Sequence, residues 1–251
     1  MKRHLIIASI SLMGIASAPA HAGYTTFFGE DFNGSQTVPL LSYAAATGAR
    51  TNFLSSLTGV GTENFESQAG SAPLALTFPG AGTATLTGSG SVASVTSGST
   101  NGFGRYATSG TNYWEEEAGG GFSFLFSQSI AAFGFFGVDV GDFDGTVQLR
   151  ISGTNGIIDT ITVPHSSGSQ MNGSVVYFGL IGQTVADQFN KIEFLTTTGN
   201  GDFFAFDDMT IGSREQVCTG NCGNTVPEPG SLPLLVGALA AMAALRRRRV
   251  F

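Results

Sequence analysis

Between Gly59 and Gly212 the sequence breaks into ten short runs of β-forming residues, each closed by Gly, Asn, Ser or Asp. They cover residues 74–78, 84–87, 91–95, 122–126, 131–140, 146–151, 157–163, 174–180, 191–196 and 203–211. Gly fills 36 of 251 positions, about twice the ~7% of an average protein, so tight turns are abundant. Runs this short and this closely spaced predict an all-β fold, a two-sheet sandwich of jelly-roll type. A βαβ fold or helical repeat would need regularly recurring helices, and none recur. The exception is 40–57, where Leu41, Ala44, Ala45, Phe53, Leu54 and Leu57 return at helical spacing around Gly48 and predict one short helix. Residues 80–102 are mostly Gly, Ser, Thr and Ala; Leu86, Val92 and Val95 among the threonines favour strand over a flexible stalk.

Both ends carry sorting features. Met1-Lys2-Arg3-His4 is basic, 5–16 is apolar, and Ala20-His21-Ala22 has the form of a signal-peptidase site. Residues 1–22 are therefore predicted to be a signal peptide, too short in its apolar part to span a bilayer. At the other end Val226-Pro227-Glu228-Pro229-Gly230 precedes an apolar run, 231–245, and then Arg246, Arg247, Arg248 and Arg249. Terminal arginines hold that end in the cytoplasm, so 231–245 is predicted to be a transmembrane helix in the inner membrane with the preceding domain outside.

Pro-Glu-Pro, apolar run and arginine tail, in that order, resemble the PEP-CTERM sorting signal of Gram-negative bacteria. In that family a membrane-embedded cysteine protease, exosortase, recognises Pro-Glu-Pro and removes the helix. The resemblance implies an exported protein, first anchored in the inner membrane and then at the cell surface or outside the cell, often where exopolysaccharide is made. Parts of the middle also look like the body domain common in that group: Phe27-Phe28-Gly29-Glu30-Asp31, Leu57-Thr58-Gly59-Val60-Gly61-Thr62-Glu63 leading into Phe65-Glu66, and Phe206-Asp207-Asp208. That domain has no settled activity. The organisation expected is a signal peptide (1–22), an N-terminal segment with the helix (23–60), the sandwich (61–213), a linker (214–225) and the sorting signal (226–251).

Charge sharpens the picture. From 23 to 225 there are five basic residues, Arg50, Arg105, Arg150, Lys191 and Arg214, against 17 acids, a net charge of −12. Phosphate recognition needs clustered Lys and Arg, so nucleic acid is excluded as a partner. Without residues 1–22, His165 is the only histidine, which excludes a His-rich zinc site within one chain. It reads as a loop residue. No Gly-x-Ser-x-Gly marks a nucleophile.

The carboxylates are the candidates for chemistry. Asp139, Asp142 and Asp144 fall within one turn, and such a cluster is either bridged by a cation, Ca²⁺ by its oxygen chemistry, or is an Asp-Gly turn bonding its own backbone. By period two, Asp207 shares a face with Phe203, Ala205, Met209 and Ile211. A carboxylate in the phase of the core demands a partner, a bulge or a metal. By analogy with sugar-binding sandwiches that carry a structural Ca²⁺, Glu66, Asp207 and Asp208 form a second candidate set. Tyr113, Trp114 and Glu115 suit sugar recognition, a ring for an apolar sugar face and an acid for hydroxyls; an acidic loop anchored by one packed Trp competes with it. Cys218 and Cys222, in an oxidising compartment, predict a small-loop disulfide.

These features together point to an exported, exosortase-processed, non-enzymatic binding or structural module associated with polysaccharide. The rival is a secreted glycosidase or lyase using paired carboxylates among Glu115–Glu117 or Asp139–Asp144.

Overall fold

A computed structural model describes residues 23–117, 121–142, 144–154, 156–196 and 203–218. The elements are β1 (Tyr24–Asp31), α1 (Ala44–Ser55), β2 (Thr62–Glu63), β3 (Leu74–Phe78), β4 (Gly82–Thr87), β5 (Ser91–Ser94), β6 (Asn112–Glu117), β7 (Ser123–Ile130), β8 (Ala132–Val138), β9 (Val147–Gly153), β10 (Gly156–Thr162), β11 (Val175–Gly182), β12 (Phe189–Thr196) and β13 (Phe203–Gly212). The larger sheet runs β1-β11-β8-β13-β6-β5, with β2 also pairing to β13; the smaller runs β10-β9-β12-β7-β4-β3. From β6 onward the chain alternates between sheets except at the β9–β10 hairpin, which stays in the smaller one. It places β6-β13-β8-β11 opposite β7-β12-β9-β10, two interlocked Greek keys and hence a jelly roll.

All ten expected runs are strands. Three strands were not foreseen: β1, the two-residue β2, and β6, which carries Tyr113, Trp114 and Glu115. Because β1 pairs with β11 along its whole length, Tyr24 opposite Gly182 and Asp31 opposite Val175, the sandwich begins well before residue 61. The segments expected to be a signal peptide (1–22) and a sorting signal with its apolar run (226–251), and Cys222, lie outside the described residues. Among the described residues no helix is long and apolar enough to cross a membrane.

The smaller sheet has one wet face, and the larger has none. Phe124 and Phe126 of β7 point between the sheets while Leu125 is exposed, the alternation of a half-buried strand. β8 and β11 are buried at every position, because α1 covers the outer face of the larger sheet. The inner core joins Phe122, Phe124, Phe133, Phe135, Phe194 and Phe206. The outer one joins Ala46, Ala49 and Phe53 of α1 to Phe136, Val138 and Tyr177. That face of α1 differs from the one expected, since Leu41 lies before the helix and is 88% exposed. The helix starts at Ala44 because Asp31, at the end of β1, accepts the N–H of Ala45 (3.2 Å) and Ala46 (2.8 Å), a cap borrowed from a strand.

Phe53 sets how closely helix and sheet approach. Gly134 of β8 and Gly179 of β11 are register partners, and together they leave a socket for its ring. A Cβ on Gly179 would come 2.7 Å from Phe53 Cδ2, and one on Gly134 3.0 Å from Phe53 Cε1. The ring also meets Phe27 edge-on at 5.7 Å and Tyr177 at 5.9 Å.

Phe53→Ala is expected to cost about 3–5 kcal/mol in chemical denaturation, the range for emptying a buried aromatic site. Gly179→Ala, which displaces the ring, is expected to cost about 1–3 kcal/mol. The double variant should cost less than the sum, since the Ala methyl then occupies vacated space; strict additivity would mean the two do not share a socket.

Candidate functional site

Two buried acids, Asp207 and Asp208, and the exposed Glu66 are answered by one hydroxyl-rich loop. Asp207 Oδ2 accepts the N–H of Thr108 (2.7 Å), the hydroxyl of Thr108 (2.9 Å) and the N–H of Ser109 (2.9 Å). Its Oδ1 accepts the N–H of Asp208 (2.7 Å). Asp208 Oδ1 accepts the Ser109 hydroxyl (2.8 Å). Glu66 Oε1 accepts the N–H of Thr111 (2.7 Å) and of Asn112 (2.5 Å). Three carboxylates thus grip residues 108–112. Gly110, at φ +66°, passes so close to the Glu66 carboxylate that a side chain there would collide with it.

The phase of Asp207 follows from a bulge. β13 slips against β8 between Asp207 and Thr210, with Asp208 at φ +49°. The slip corrects the single face inferred for this strand. Ala205 lies in the outer core, whereas Phe204, Phe206, Met209 and Ile211 all lie in the core between the sheets.

Of the Asp139–Asp144 cluster, Asp139 turns inward and Asp144 is exposed. Asp139 accepts the N–H of Gly173 (2.8 Å) and meets Arg105 Nη1 at 3.5 Å. Arg105 Nε reaches Glu115 Oε2 at 2.8 Å, and its guanidinium lies over Phe103 (5.7 Å) and Phe203 (5.5 Å). Asn101 Nδ2 also donates to Glu115 Oε2 (3.0 Å). Among the described residues no three or more His, Cys, Asp or Glu side chains are placed to hold a metal ion. At Asp207 the partner is supplied by loop N–H groups.

The expected sugar platform is also internal. Trp114 is fully buried between Phe65 and Phe122, stacked on the latter at 6.4 Å, and donates Nε1–H to Glu116 Oε2 (3.2 Å). Tyr113 is buried on the opposite face. Neither can present a ring to a ligand, because β6 lies in a sheet covered on both sides. Glu116 is buried too, accepting from Ser89 N–H (3.1 Å), Ser89 Oγ (2.7 Å) and Gly90 N–H (3.0 Å). His165, in its loop, receives the Val147 N–H at Nε2 (3.0 Å) and sits 2.7 Å from Ser166 O through Nδ1. Burial lowers its pKa and keeps it neutral.

The carboxylate-held loop forms one wall of an open cleft of about 240 Å³. Thr96, Ser97 and Ser99 bring hydroxyls, Leu40 and Val95 apolar surface, and Tyr43 and Tyr106 phenols. Tyr43 Oη donates to Thr108 O (2.8 Å). Tyr106 Oη donates to Gly173 O (2.8 Å) and accepts the Leu40 N–H (3.1 Å). Burial raises both phenol pKa values, so both remain neutral donors. Among the described residues no charged side chain lines the cleft. It is smaller than the roughly 300–1,000 Å³ of sites that engulf a drug-sized ligand and would take one unit of a longer chain. The sequence offered one signal for it: Phe103, Arg105 and Tyr106 are the only aromatic or charged residues between Gly80 and Asn112.

Two acids give the domain a pH dependence. Burial, with Asp142 adding, pushes Asp139 up to about 7, against the Gly173 N–H and Arg105. Burial and Asp208 push Asp207 up to about 7, against the N–H groups of Ser109 and Asp208 and the Thr108 hydroxyl. Both lie above the unfolded value, so their contribution is present at low pH and lost as pH rises through about 7. His165 acts oppositely, but only below its unfolded value near 6.5. Between pH 8.5 and 6.5 the two acids should therefore add about 1–2 kcal/mol, visible as a higher melting temperature. Asp139→Asn should flatten the rise, and a stability that falls over that interval would contradict the assignment. Millimolar Ca²⁺ is expected to leave the melting temperature unchanged; an increase of several degrees would restore the cation.

No family model matches the chain, and no curated protein does. Among solved structures the chain is similar to the K2 cleaved adhesin domain of Lys-gingipain, at 14% identity and a TM-score of 0.35 over 61% of this chain and 98% of that one. It is also similar to the C-terminal family 22 carbohydrate binding module of Clostridium thermocellum Xyn10B, at 14% and 0.37 over 65% and 97%. A third is TmCBM61, solved with beta-1,4-galactotriose, at 15% and 0.30 over 60% and 94%.

Proposed function

We propose that this chain is an exported, non-enzymatic jelly-roll module that binds a neutral polysaccharide through the cleft between residues 39–43 and 95–110. One observation carries the reading: the wall of that cleft is a hydroxyl-bearing loop fixed by three carboxylates, so its donors and acceptors are already ordered before a ligand arrives. Preorganisation of this kind lowers the entropic cost of binding. Neutral sugars suit a cleft with phenol, hydroxyl and aliphatic lining and no charge, in a domain whose −12 would repel polyanions. Three of the acids assigned to the hydrolase alternative are occupied: Glu116 and Asp139 are buried with donors, and Glu115 is tied to Arg105 and Asn101.

Export rests on the sequence of the two ends. On this reading signal peptidase acts after Ala22, and 231–245 holds the precursor in the inner membrane. Exosortase then acts at Val226–Pro229 and passes the domain to the surface or the exopolysaccharide.

In affinity electrophoresis through the producer's own polysaccharide the protein should be retarded. Ser97→Leu with Ser99→Leu, which fill the cleft from exposed positions, should weaken retardation roughly tenfold, the equivalent of about 1.4 kcal/mol. Unchanged retardation would move the site elsewhere. New reducing or unsaturated ends would make the protein an enzyme.

A further inference from the structure

Both ends of the described domain leave the sandwich at the same pole. Tyr24, the first residue of β1, pairs with Gly182, the last of β11. Cys218, disulfide-bonded and the last described residue, donates its N–H to Ser56 O (3.0 Å). It shares a groove of about 410 Å³ with Thr25, Gln183 and Arg214.

At this pole the β11–β12 connection and the first residues of β10 raise aliphatic side chains into water. Val185 is 73% exposed, Ile157 67% and Ile158 38%, around a second opening of about 320 Å³. The turn bearing Val185 is tied down: Asp187 accepts the N–H and hydroxyl of Thr184 (2.7 Å each), and Tyr24 Oη donates to Asp187 O (3.0 Å). Clustered aliphatics held on fixed turns mark an interaction surface. The sequence supplies what lies against it. The apolar run 231–245 with its four arginines follows the groove after 219–230, and twelve residues of any conformation reach at most about 40 Å. The polysaccharide cleft lies by Tyr43, before the first turn of α1, and the groove by Ser56, after its last. A helix of 12 residues separates them by about 18 Å.

We propose that Val185, Ile157 and Ile158 form a lipid-docking surface that seats the anchored precursor on the outer leaflet of the inner membrane, with the cleft turned away from the bilayer. This rests on the anchored-precursor reading above. The contact is apolar insertion, so it is insensitive to salt, and it is lost once the anchor is cut, because three aliphatic side chains alone hold a protein to lipid only weakly. Removal of 231–245 would then release the docking surface from the bilayer.

The test uses the full chain reconstituted into liposomes of phosphatidylethanolamine and phosphatidylglycerol. Val185→Cys, Ile157→Cys and Phe103→Cys are each labelled, without reductant, with an environment-sensitive dye. Phe103 is 63% exposed, beside Arg105 and away from the groove. Nitroxide-bearing lipid should quench the first two labels at least roughly twofold more than the third, at low and high salt alike. Flotation with the liposomes but equal quenching at all three positions overturns the docking surface and leaves the anchor standing. Failure to float overturns the anchor and the docking surface with it. Crosslinking between labels at 185 or 157 of two chains, without lipid quenching, makes the pole a contact between copies and overturns the proposal.

Discussion

An acidic domain with few cations has to satisfy its carboxylates, buried and half-exposed, by other means, and here the backbone N–H is that means. Glu30 accepts from Ser166, Asp31 from the first turn of α1, Glu66 from Thr111 and Asn112, Glu116 from Ser89 and Gly90, Asp139 from Gly173, and Asp207 from Thr108 and Ser109. Each bond satisfies a charge-bearing acceptor and a loop donor together, and bonds to ionised acceptors are about twice as strong as neutral ones. In the loops where no strand ladder takes up the N–H groups, the acids do so instead. The loops at this end of the jelly roll are thereby fixed to the sheets, and the cleft inherits its shape from them.

The ionic cluster behind the cleft follows the same rule with one cation added. Arg105 is held by Glu115 and Asp139 and flanked by Phe103 and Phe203, so its charge is delivered inward while the next residue, Tyr106, lines the cleft. Gly104, at φ +92°, makes the approach possible, because any side chain there would strike the Asp139 carboxylate. The pH response and the order of the cleft wall therefore have a common source in how deeply these acids are buried.

Much of the fold was legible in the sequence, and the candidate site was not. The short β runs, their Gly and Asp punctuation and one helical segment gave the class and most of the strands. β1 escaped notice because Thr25, Thr26 and Gly29 blur its pattern, and β6 because a run of acids reads as solvated loop. In β6 the Trp114 ring and the Glu116 carboxylate are both inside, since each finds its partner there, Phe122 and the N–H groups of Ser89 and Gly90. Asp207 was flagged as needing a partner, a bulge or a metal, and it has the first two.

The sequence by itself determined a β sandwich, its excess of acid and the terminal segments that imply export, because hydrophobic period, turn residues and charge are local properties. Only the tertiary structure decided which acids face donors, that Gly134 and Gly179 open a socket for Phe53, and that residues 39–43 meet 95–110 to make a cleft. Those outcomes depend on bringing together groups far apart in the chain, such as Glu30 and Ser166, 136 positions apart. Register and bulges set such meetings, and a single slip in β13 moves the side chains beyond it to the other face.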